Sequence, residues 1–547
     1  MIEYLYLPLI MRYITIFGLF LLSALAFHQA KAQSLSSSNL PIILIQTNGV
    51  EIPDEPKITA SMKIISNSIG VNLITDPPNE YDGKIGIEKR GASSQGMPQT
   101  PYAIETRDDA GEERNVSLFG MPSESDWCLI PNYNDKAFSR NPLSYHLFNK
   151  MGQYAPRTQL VEVVVNNNYM GIYLFCERIK RDKDRVNIKK ADPTALGGDS
   201  LSGGYIFKID YSSGFDNWVS KFTPAAAPNV AINYVFHYPK AVDLSQAQRG
   251  YMKKYMDKAE TVLRSTLSND TVVGYRRYFD TQSFIDYFLL NEVARNNDGS
   301  KKSRYFYKDR NSVDSLIKAG PVWDFDWAWK DIDECATFAA TDGSGWSYRI
   351  NDCNPDIYSP DLYLLMLKDT LFSQAVCKRY TELRQTIFAT DYLLKYVDSI
   401  AALTQSAQVR HYAKWNILGY NSWTPEVNFS PTNFQGEVTK LKSWITRRMN
   451  WLDQNVPKLC QSPTVTVVPV SGNISVFPNP TSGLTSWNAY VPPSQNLLCA
   501  DVLGRITTLP TVKVNGRATF DMSPYLPGIY FIWAEGSKRD AVRLIKN

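Results

Sequence analysis

The sequence has almost no excess of either charge. Its 58 lysine and arginine residues stand against 54 aspartate and glutamate residues, so the formal net charge is only +4. Proteins that bind nucleic acid or anionic membranes electrostatically concentrate far more basic charge than this. We therefore expect no nucleic-acid partner and no polybasic membrane patch.

The chain also lacks the signatures of the commonest enzyme classes. The patterns GxxxxGK[ST], GxGxxG, GxSxG and HExxH are absent, which removes P-loop, dinucleotide-binding, serine-hydrolase and zinc-protease interpretations. The four histidines are scattered and there is no CxxC pair, so the sequence does not predict a zinc cage. What is present is a chain of 547 residues, 44% hydrophobic and 12% aromatic, with enough apolar material for a large core.

Long apolar runs are missing except at the N-terminus. Residues 13–27 are uncharged and largely apolar, they follow Arg12, and the small-x-small pattern Ala30-Lys31-Ala32 comes next. A membrane span takes ~20 residues, whereas a basic flank, a short apolar run and a cleavage pattern in this order are typical of a secretory signal peptide. We predict a signal peptide over residues 1–32 and an exported mature protein without a transmembrane segment. A buried N-terminal helix is the alternative.

Export changes the interpretation of the seven cysteines, because disulfides are permitted outside the cytoplasm. Cys335 and Cys353 close a short polar segment that contains glycine, serine and aspartate. We predict a disulfide between these two residues. The pairing of the other five is left open, since connectivity cannot be deduced from spacing alone.

Residues 33–460 contain no low-complexity break, and the sequence predicts one large α+β domain with a strand-rich first half and a helix-rich second half. In the first half, the turn-forming residues 166–170 separate two β-rich runs and predict a hairpin over 160–165 and 171–177. In the second half, apolar residues recur at three- and four-residue intervals. This pattern predicts helices over residues 246–264, 282–295, 370–388, 391–406 and 434–454.

A linker rich in serine, threonine, valine and proline, residues 461–472, precedes a tail of different character. From residue 473 to 547, short β-rich runs alternate with proline, glycine and asparagine turns, which predicts a small all-β sandwich. Four blocks resemble the C-terminal sorting domain of type IX secretion substrates: residues 477–483, 501–505, 521–530 and 544–546. The resemblance implies export across the outer membrane of a Bacteroidetes-type bacterium by the type IX machinery, to the cell surface or the medium. An ordinary accessory β-domain is the alternative.

The strongest chemical constellation lies between residues 280 and 326. The helix predicted there is capped by Asp280 or Thr281 and ends in a helix-breaking turn that leaves Asp298 exposed. Two short strands, residues 304–308 and 315–318, then lead to Asp324 and Asp326 among bulky apolar neighbours. Carboxylates in such surroundings need a cation or strong donors to stay charged.

This order of helix, acidic loop, hairpin and acids fits phosphoryl transfer. One aspartate orients or deprotonates an attacking hydroxyl, and another holds Mg²⁺ or Mn²⁺ across the triphosphate of ATP. Buried acids also cap helices, bridge to arginines or bind structural Ca²⁺, and the residues alone leave these alternatives open.

Several blocks together resemble the CotH kinase family, which is related to spore-coat protein kinases. The resemblance covers roughly residues 40–457 and implies an atypical kinase-like fold. It assigns Asp298 as the loop acid, Asp324 as the metal-binding acid and Asp326 as a second ligand or support. Ser303 occupies the position where eukaryotic-like kinases place a metal-binding asparagine, and its hydroxyl can also ligate Mg²⁺. The blocks are residues 89–95, 118–122, 139–141, 169–173, 203–205 and 320–327.

The same resemblance implies a nucleotide site around the small-residue loop 90–96. Backbone N–H groups of such a loop can approach phosphate as a nest, with a plain β-turn as the alternative. Arg140 is interpreted as a phosphate contact and Glu177 as its charge partner, although a core ion pair explains each equally well. The cofactor-binding set is Arg90, Gly91, Ser93, Ser94, Arg140 and Glu177.

One departure from the family pattern bears on activity. Many members have a lysine where this chain has Gln99, and a neutral amide cannot supply the charge that lysine gives to phosphate oxygens. Three hypotheses for the function follow from the sequence. The first is a metal-dependent kinase that acts on serine or threonine of an envelope or surface protein. The second is a catalytically inactive surface protein that binds or supports other molecules. The third is a Ca²⁺-stabilised adhesin that uses Asp331, Asp333 and Glu334.

Overall fold

The computed structural model describes residues 35–427, 429–460, 474–488, 491, 495–514, 517–536 and 541–547. The predicted signal peptide and the predicted linker lie outside these residues. The described residues form two compact units, which are divided between residues 460 and 461. Each unit is described by itself below.

The N-terminal half of the first unit is a closed β-barrel with the strand order β2-β3-β5-β6-β7-β9-β8. A parallel pairing of β2 with β8 closes it, and its other pairs are antiparallel. Strands β1–β9 are Ser37–Ser38, Ile42–Gln46, Ile58–Ile65, Asn72–Leu73, Tyr81–Lys89, Tyr102–Arg107, Asp126–Pro131, Thr158–Val165 and Asn168–Glu177.

The predicted hairpin over residues 160–177 is confirmed as β8 and β9. Asn166 and Asn167 form its turn with φ angles of 49° and 62°. A two-residue turn of this kind needs positive φ at both positions, and asparagine tolerates that conformation better than other residues with a side chain. The local turn chemistry therefore explains why the sequence predicted this hairpin correctly.

A five-stranded antiparallel sheet follows, in the order β11-β12-β10-β13-β14. The predicted strand over 304–308 is confirmed, and its partner begins two residues later than predicted, at Ile317. Strands β10–β14 are Tyr205–Ile209, Asn217–Val219, Asn233–Tyr238, Arg304–Lys308 and Ile317–Ala319.

The five predicted helices are confirmed, with ends that differ by up to five residues, and the mixed α+β class is confirmed with them. The structure adds α1, which has no apolar stripe in the sequence because both its polar and its apolar residues are buried. The helices α1–α10 are Arg140–Lys150, Gly198–Leu201, Gln246–Leu263, Thr281–Ala294, Ala336–Ala339, Leu362–Met366, Thr370–Arg384, Thr390–Thr404, Ala407–Lys414 and Phe434–Leu459.

Two disulfides stabilise the helical half. The predicted pair Cys335–Cys353 is confirmed, and a second pair joins Cys377 in α7 to Cys460. Cross-links of this kind reduce the freedom of the unfolded chain. Cys377 packs against a large apolar core that the helices share with the five-stranded sheet, whereas Cys335 and Cys353 pack against a small separate cluster. The barrel interior forms a further core.

The second unit contains two four-stranded antiparallel sheets, β15-β16-β20-β19 and β18-β17-β21-β22. Side chains from both sheets, among them Trp487, Phe520, Cys499 and Ile532, share one buried cluster. In the described part of the whole chain, no helix combines the length and the hydrophobicity that crossing a bilayer requires. Strands β15–β22 are Val476–Phe477, Leu484–Trp487, Leu497–Asp501, Ile506–Leu509, Thr511–Val514, Arg517–Asp521, Gly528–Ala534 and Val542–Lys546.

Candidate functional site

A cleft of about 980 Å³ opens in the first unit between the loop after β5 and the loops that flank the hairpin β13–β14. Eight of the ten site residues proposed from the sequence line it, although the elements that carry them are far apart in the chain. The eight are Arg90, Gly91, Ser93, Ser94, Asp298, Ser303, Asp324 and Asp326.

Asp324 has an unusual backbone conformation, with φ at +68°. A residue with a side chain adopts such an angle only where its surroundings impose it. Helix α1 provides that constraint: the Asp324 N–H donates to the Tyr145 hydroxyl at 3.2 Å, and the Phe325 N–H donates to Asn141 Oδ1 at 2.7 Å. The aspartate loop is therefore held from behind by a buried helix.

Negative charge gathers around Asp324. Enclosure by protein atoms, then the carboxylates of Asp326 and Asp298, raise the pKa of Asp324 well above its ordinary value, and Asp210 adds to the effect. The Asp324 side chain is open to the cleft, so repulsion by the neighbouring carboxylates contributes more to this rise in pKa than the loss of water does. Ser303 Oγ donates to Asp324 Oδ2 at 3.4 Å. Asp298 and Asp210 have lysine partners, but in the described residues Asp324 and Asp326 form no ion pair within 4.0 Å. These two acids therefore attract a cation.

Asp298 lies four residues after the end of α4. The sequence predicted an exposed turn here, and this prediction is wrong. The Asp298 side chain is only 17% exposed and forms an ion pair of 2.8 Å between Oδ1 and Lys301 Nζ. The turn is drawn inward because the Tyr287 hydroxyl donates to the Gly299 carbonyl and Arg295 binds Asp331 in the core. Burial alone lowers the pKa of Lys301, but the carboxylates of Asp298 and Glu334 raise it overall, so this lysine stays charged.

The small-residue loop 90–96 forms the opposite wall. It contains a short 3-10 helix, Ser93–Gly96, instead of the plain β-turn that was its alternative. Gly91 has φ at +97°, and a Cβ at this position would lie 2.1 Å from Ser94 Oγ. Rotation of the Ser94 side chain would relieve that contact, but the positive φ strains any residue with a Cβ and therefore favours glycine. The backbone of this wall can therefore approach a ligand closely.

Arg90 is the basic group of that wall. Its guanidinium stacks on the Trp323 ring, 5.0 Å from the ring centroid. Burial alone lowers the pKa of Arg90, but the thiols of Cys128 and Cys176, Tyr305 and Asp324 raise it overall. Within the described ranges no carboxylate lies within 4.0 Å of this guanidinium, so its charge is available to an anion in the cleft.

Two proposed cofactor contacts are corrected by the structure. Arg140 is buried and pairs with Asp135 at 2.6 Å between NH1 and Oδ1. Glu177 is buried in the barrel wall, where Oε1 accepts from Arg157 NH1 at 2.6 Å and Oε2 accepts from the Arg157 N–H at 2.9 Å. Neither side chain lines the cleft. The core ion pairs that the sequence left open are what the structure contains.

Gln99 also loses the significance that the sequence gave it. Its side chain is buried and donates to the carbonyls of Ile172 at 2.9 Å and Met170 at 3.2 Å, on strand β9. It does not line the cleft. The missing lysine at this position therefore removes no charge from the site.

The sequence missed several charged residues that the structure adds to the cleft. Lys208 and Asp210 come from β10 and the residue that follows it, and they pair at 2.7 Å. The block 203–205 immediately before this strand was a signal that could have pointed to them. Other additions include Arg178, Lys301, Lys302 and Asp356. Asp333 and Glu334, which the sequence offered only for a Ca²⁺ site, also line the cleft.

The residues fit a divalent ion of the kind that nucleotides bring with them. No set of three or more histidine, cysteine, aspartate or glutamate side chains forms a metal cage in the described residues. Mg²⁺ is usually held by one or two carboxylates together with substrate phosphates, and Asp324 with Asp326 provides such a pair. The calcium alternative does not fit, because Asp331 Oδ1 already accepts from Arg295 and from Trp444 Nε1 at 2.6 and 2.7 Å.

The protein is therefore of the α+β class, and its cleft has one acidic wall and one basic wall that contains the loop with Gly91. The family model for CotH kinase protein matches residues 87–452, about two thirds of the chain. The protein belongs to the CotH kinase family, and this membership indicates a kinase-like function. A search of curated proteins finds no match.

Proposed function

We propose that the protein is an exported, metal-dependent protein kinase that transfers the γ-phosphate of ATP to serine or threonine of an envelope or surface protein. One observation carries this proposal. Within the described residues, neither the Asp324 carboxylate nor the Arg90 guanidinium of this cleft has an ion-pair partner within 4.0 Å, although the two are near enough for Asp324 to raise the pKa of Arg90. A metal-bound triphosphate supplies both missing partners, because it carries a cation and anionic oxygens together.

The roles follow from position. Asp324, Asp326 and Ser303 would hold Mg²⁺ or Mn²⁺, which when bound neutralises charge on the phosphates. Arg90 and the backbone of Gly91, Ser93 and Ser94 bind the phosphate oxygens from the other wall. These contacts orient the γ-phosphate and make little demand on covalent chemistry by the protein.

Asp298 handles the acceptor hydroxyl. The hydroxyl oxygen forms a bond to the γ-phosphorus, the bond from that phosphorus to the β–γ bridging oxygen breaks, and ADP leaves. The proton of the hydroxyl passes to the Asp298 carboxylate, which Lys301 holds in place through its 2.8 Å ion pair. This assignment matches the orienting aspartate of other phosphotransferases.

A catalytically inactive surface protein is the second candidate. The ion pair between Asp298 and Lys301 favours it, because the lysine occupies a carboxylate oxygen that would otherwise be open to an acceptor hydroxyl. The former argument from Gln99 no longer supports it. The two candidates differ in phosphate transfer but agree on nucleotide binding.

The test is transfer of label from γ-labelled ATP by residues 33–460 in the presence of Mn²⁺ or Mg²⁺. We expect transfer by the wild type, none by Asp324→Ala, and normal transfer by the control Asp192→Ala, whose carboxylate binds Thr194 outside the cleft. Thermal stabilisation by nucleotide without transfer would support the inactive candidate. If the nucleotide neither stabilises the protein nor donates its label, both candidate functions are contradicted.

The proposal extends to the address of the protein. The predicted signal peptide and the four sorting-domain blocks of the tail support passage through the type IX machinery to the cell surface or the medium. Deletion of residues 473–547 in the native host is the test. We expect the truncated protein to accumulate in the periplasm, and its unchanged arrival at the surface would contradict the sorting role.

A further inference from the structure

Asn134 lies just after β7, outside the cleft, and its side chain reaches Asp326 from behind. Its Nδ2 donates to Asp326 Oδ2 at 2.8 Å and to the Asp326 carbonyl at 3.3 Å. On the other side, Asn134 Oδ1 accepts from Thr424 Oγ1 at 2.7 Å and from the Thr424 N–H at 3.2 Å. A backbone N–H can only donate, so the amide oxygen must face Thr424 and the amide NH₂ must face Asp326.

The segment that carries Asn134 is itself fixed by buried charge. The Asn134 carbonyl accepts from Lys330 Nζ at 3.0 Å. The next residue, Asp135, accepts from the Arg140 N–H at 2.7 Å and from Arg140 NH1 at 2.6 Å. Asn134 is only 3% exposed. The donor that reaches Asp326 therefore has one direction available to it.

We propose that Asn134 is a positioning residue that holds the Asp326 carboxylate in the orientation the cleft requires. Its fixed donor engages Oδ2, and Asp326 lines the cleft, so the direction in which the carboxylate meets a ligand is set from behind. Partners behind a metal-binding side chain act in this way, by orienting it and setting its charge distribution. The role in ligand binding rests on the proposed function, whereas the coupling between Asn134 and Asp326 does not.

The test is a double-mutant cycle on the affinity of residues 33–460 for Mn²⁺ with a non-hydrolysable ATP analogue, measured by calorimetry. We expect Asn134→Ala to weaken binding about 10- to 100-fold, the range found when such partners are removed. In the background of Asp326→Ala, the same change should have little further effect on the affinity, because the carboxylate that Asn134 orients toward the ligand is gone.

Asn132 provides a matched control. It is equally buried, two residues earlier, but its Nδ2 donates to the Ile172 carbonyl at 3.2 Å in the barrel. We expect Asn132→Ala to leave the affinity for the analogue within about twofold of wild type, since such substitutions away from the site act independently of it. If both asparagine variants weaken binding equally, the effect is general destabilisation and the proposal is overturned.

The proposal is also overturned if Asn134→Ala binds the analogue with wild-type affinity. It is overturned as well if the double variant loses affinity by the product of the two single fold-losses, because the two residues would then act independently. If the wild type does not bind Mn²⁺ with the analogue, the proposed function fails. The coupling is then tested without ligand, by urea unfolding of the wild type, the two single variants and the double variant. Non-additive changes in stability would then still support the coupling, and additive changes would refute it. If Asn134→Ala does not fold, Thr424→Ala takes its place, because it removes the shorter of the two hydrogen bonds that fix the Asn134 amide oxygen.

Discussion

The two walls of the cleft are built in opposite ways. On the acidic wall, the Asp324 N–H donates a hydrogen bond to α1 and the Asp326 carboxylate accepts one from Asn134, yet in the described residues neither carboxylate has an ion-pair partner within 4.0 Å. On the basic wall, Arg90 rests on Trp323 with its charge unpaired. The protein fixes the positions of the acidic side chains by hydrogen bonds. On both walls, neutralisation of the charge is left to a ligand.

The difference teaches what kind of ligand the cleft fits. A simple anion would satisfy Arg90 and repel the acids, and a bare cation would do the reverse. A metal-bound phosphate ester satisfies both walls at once. Changes on the acidic wall should therefore abolish function, while changes on the basic wall should weaken binding.

The largest effect is expected from Asp324→Asn. Loss of this carboxylate should reduce label transfer by more than about 100-fold, the upper range for partners that only support a metal ligand. The same change should raise the melting temperature of the unliganded protein, because it relieves repulsion among the cleft acids. Transfer and thermal unfolding are measured on one preparation, and a variant that is both active and less stable would contradict this account of the wall.

Arg90→Lys should have the next largest effect. Lysine keeps the positive charge but loses the planar contact with Trp323 and the fork of donors. We expect KM for ATP to rise about tenfold, as when one charge-assisted hydrogen bond is lost, with a smaller change in kcat. Steady-state kinetics at saturating peptide separates the two constants. A fall in kcat at constant KM would place Arg90 in the chemical step instead of in binding.

The pH dependence of stability gives a smaller effect with a defined sign. The pKa of Asp324 is higher in the folded protein than its ordinary value, so folding favours the protonated form. Its contribution to stability is complete below the ordinary carboxyl pKa and is lost as the pH rises through the folded pKa. Relative to Asp324→Asn, the wild type should therefore become progressively less stable as the pH rises above the ordinary carboxyl pKa, as measured by urea unfolding. A constant difference would show that the folded pKa is not raised.

The smallest effect on activity is expected from Gln99→Lys. The position lies in the barrel wall and not in the cleft, so the new charge should not raise the rate of transfer. A buried lysine without a partner should instead destabilise the protein. Kinetics together with thermal unfolding tests this, and a clear gain in kcat/KM would mean that residue 99 reaches the nucleotide after all.

Local signals in the sequence were sufficient for much of the architecture. The hairpin at Asn166 and Asn167 follows from turn chemistry, and the long helices follow from their apolar period. Asp298, Ser303 and Asp324 were predictable because one helix and one hairpin bring them together within a short stretch of chain. Here the local order of elements determines the site.

Contacts across long separations in the sequence were not predictable in this way. Lys208 and Asp210 reach the cleft only because β10 pairs with β13, about a hundred residues later. Asn134 reaches Asp326 across 192 residues. Arg140 and Glu177 were misassigned because a family motif does not distinguish a charge kept for folding from one kept for a ligand.

The most direct test of the central claim is a crystal structure of residues 33–460 with Mn²⁺ and a non-hydrolysable ATP analogue, using the anomalous signal of the metal. The account predicts a Mn²⁺ peak about 2.1 Å from oxygens of Asp324 and Asp326, as for a carboxylate-bound Mg²⁺, with a phosphate against Arg90. A metal peak or a nucleotide bound elsewhere, with these three side chains unliganded, would contradict it.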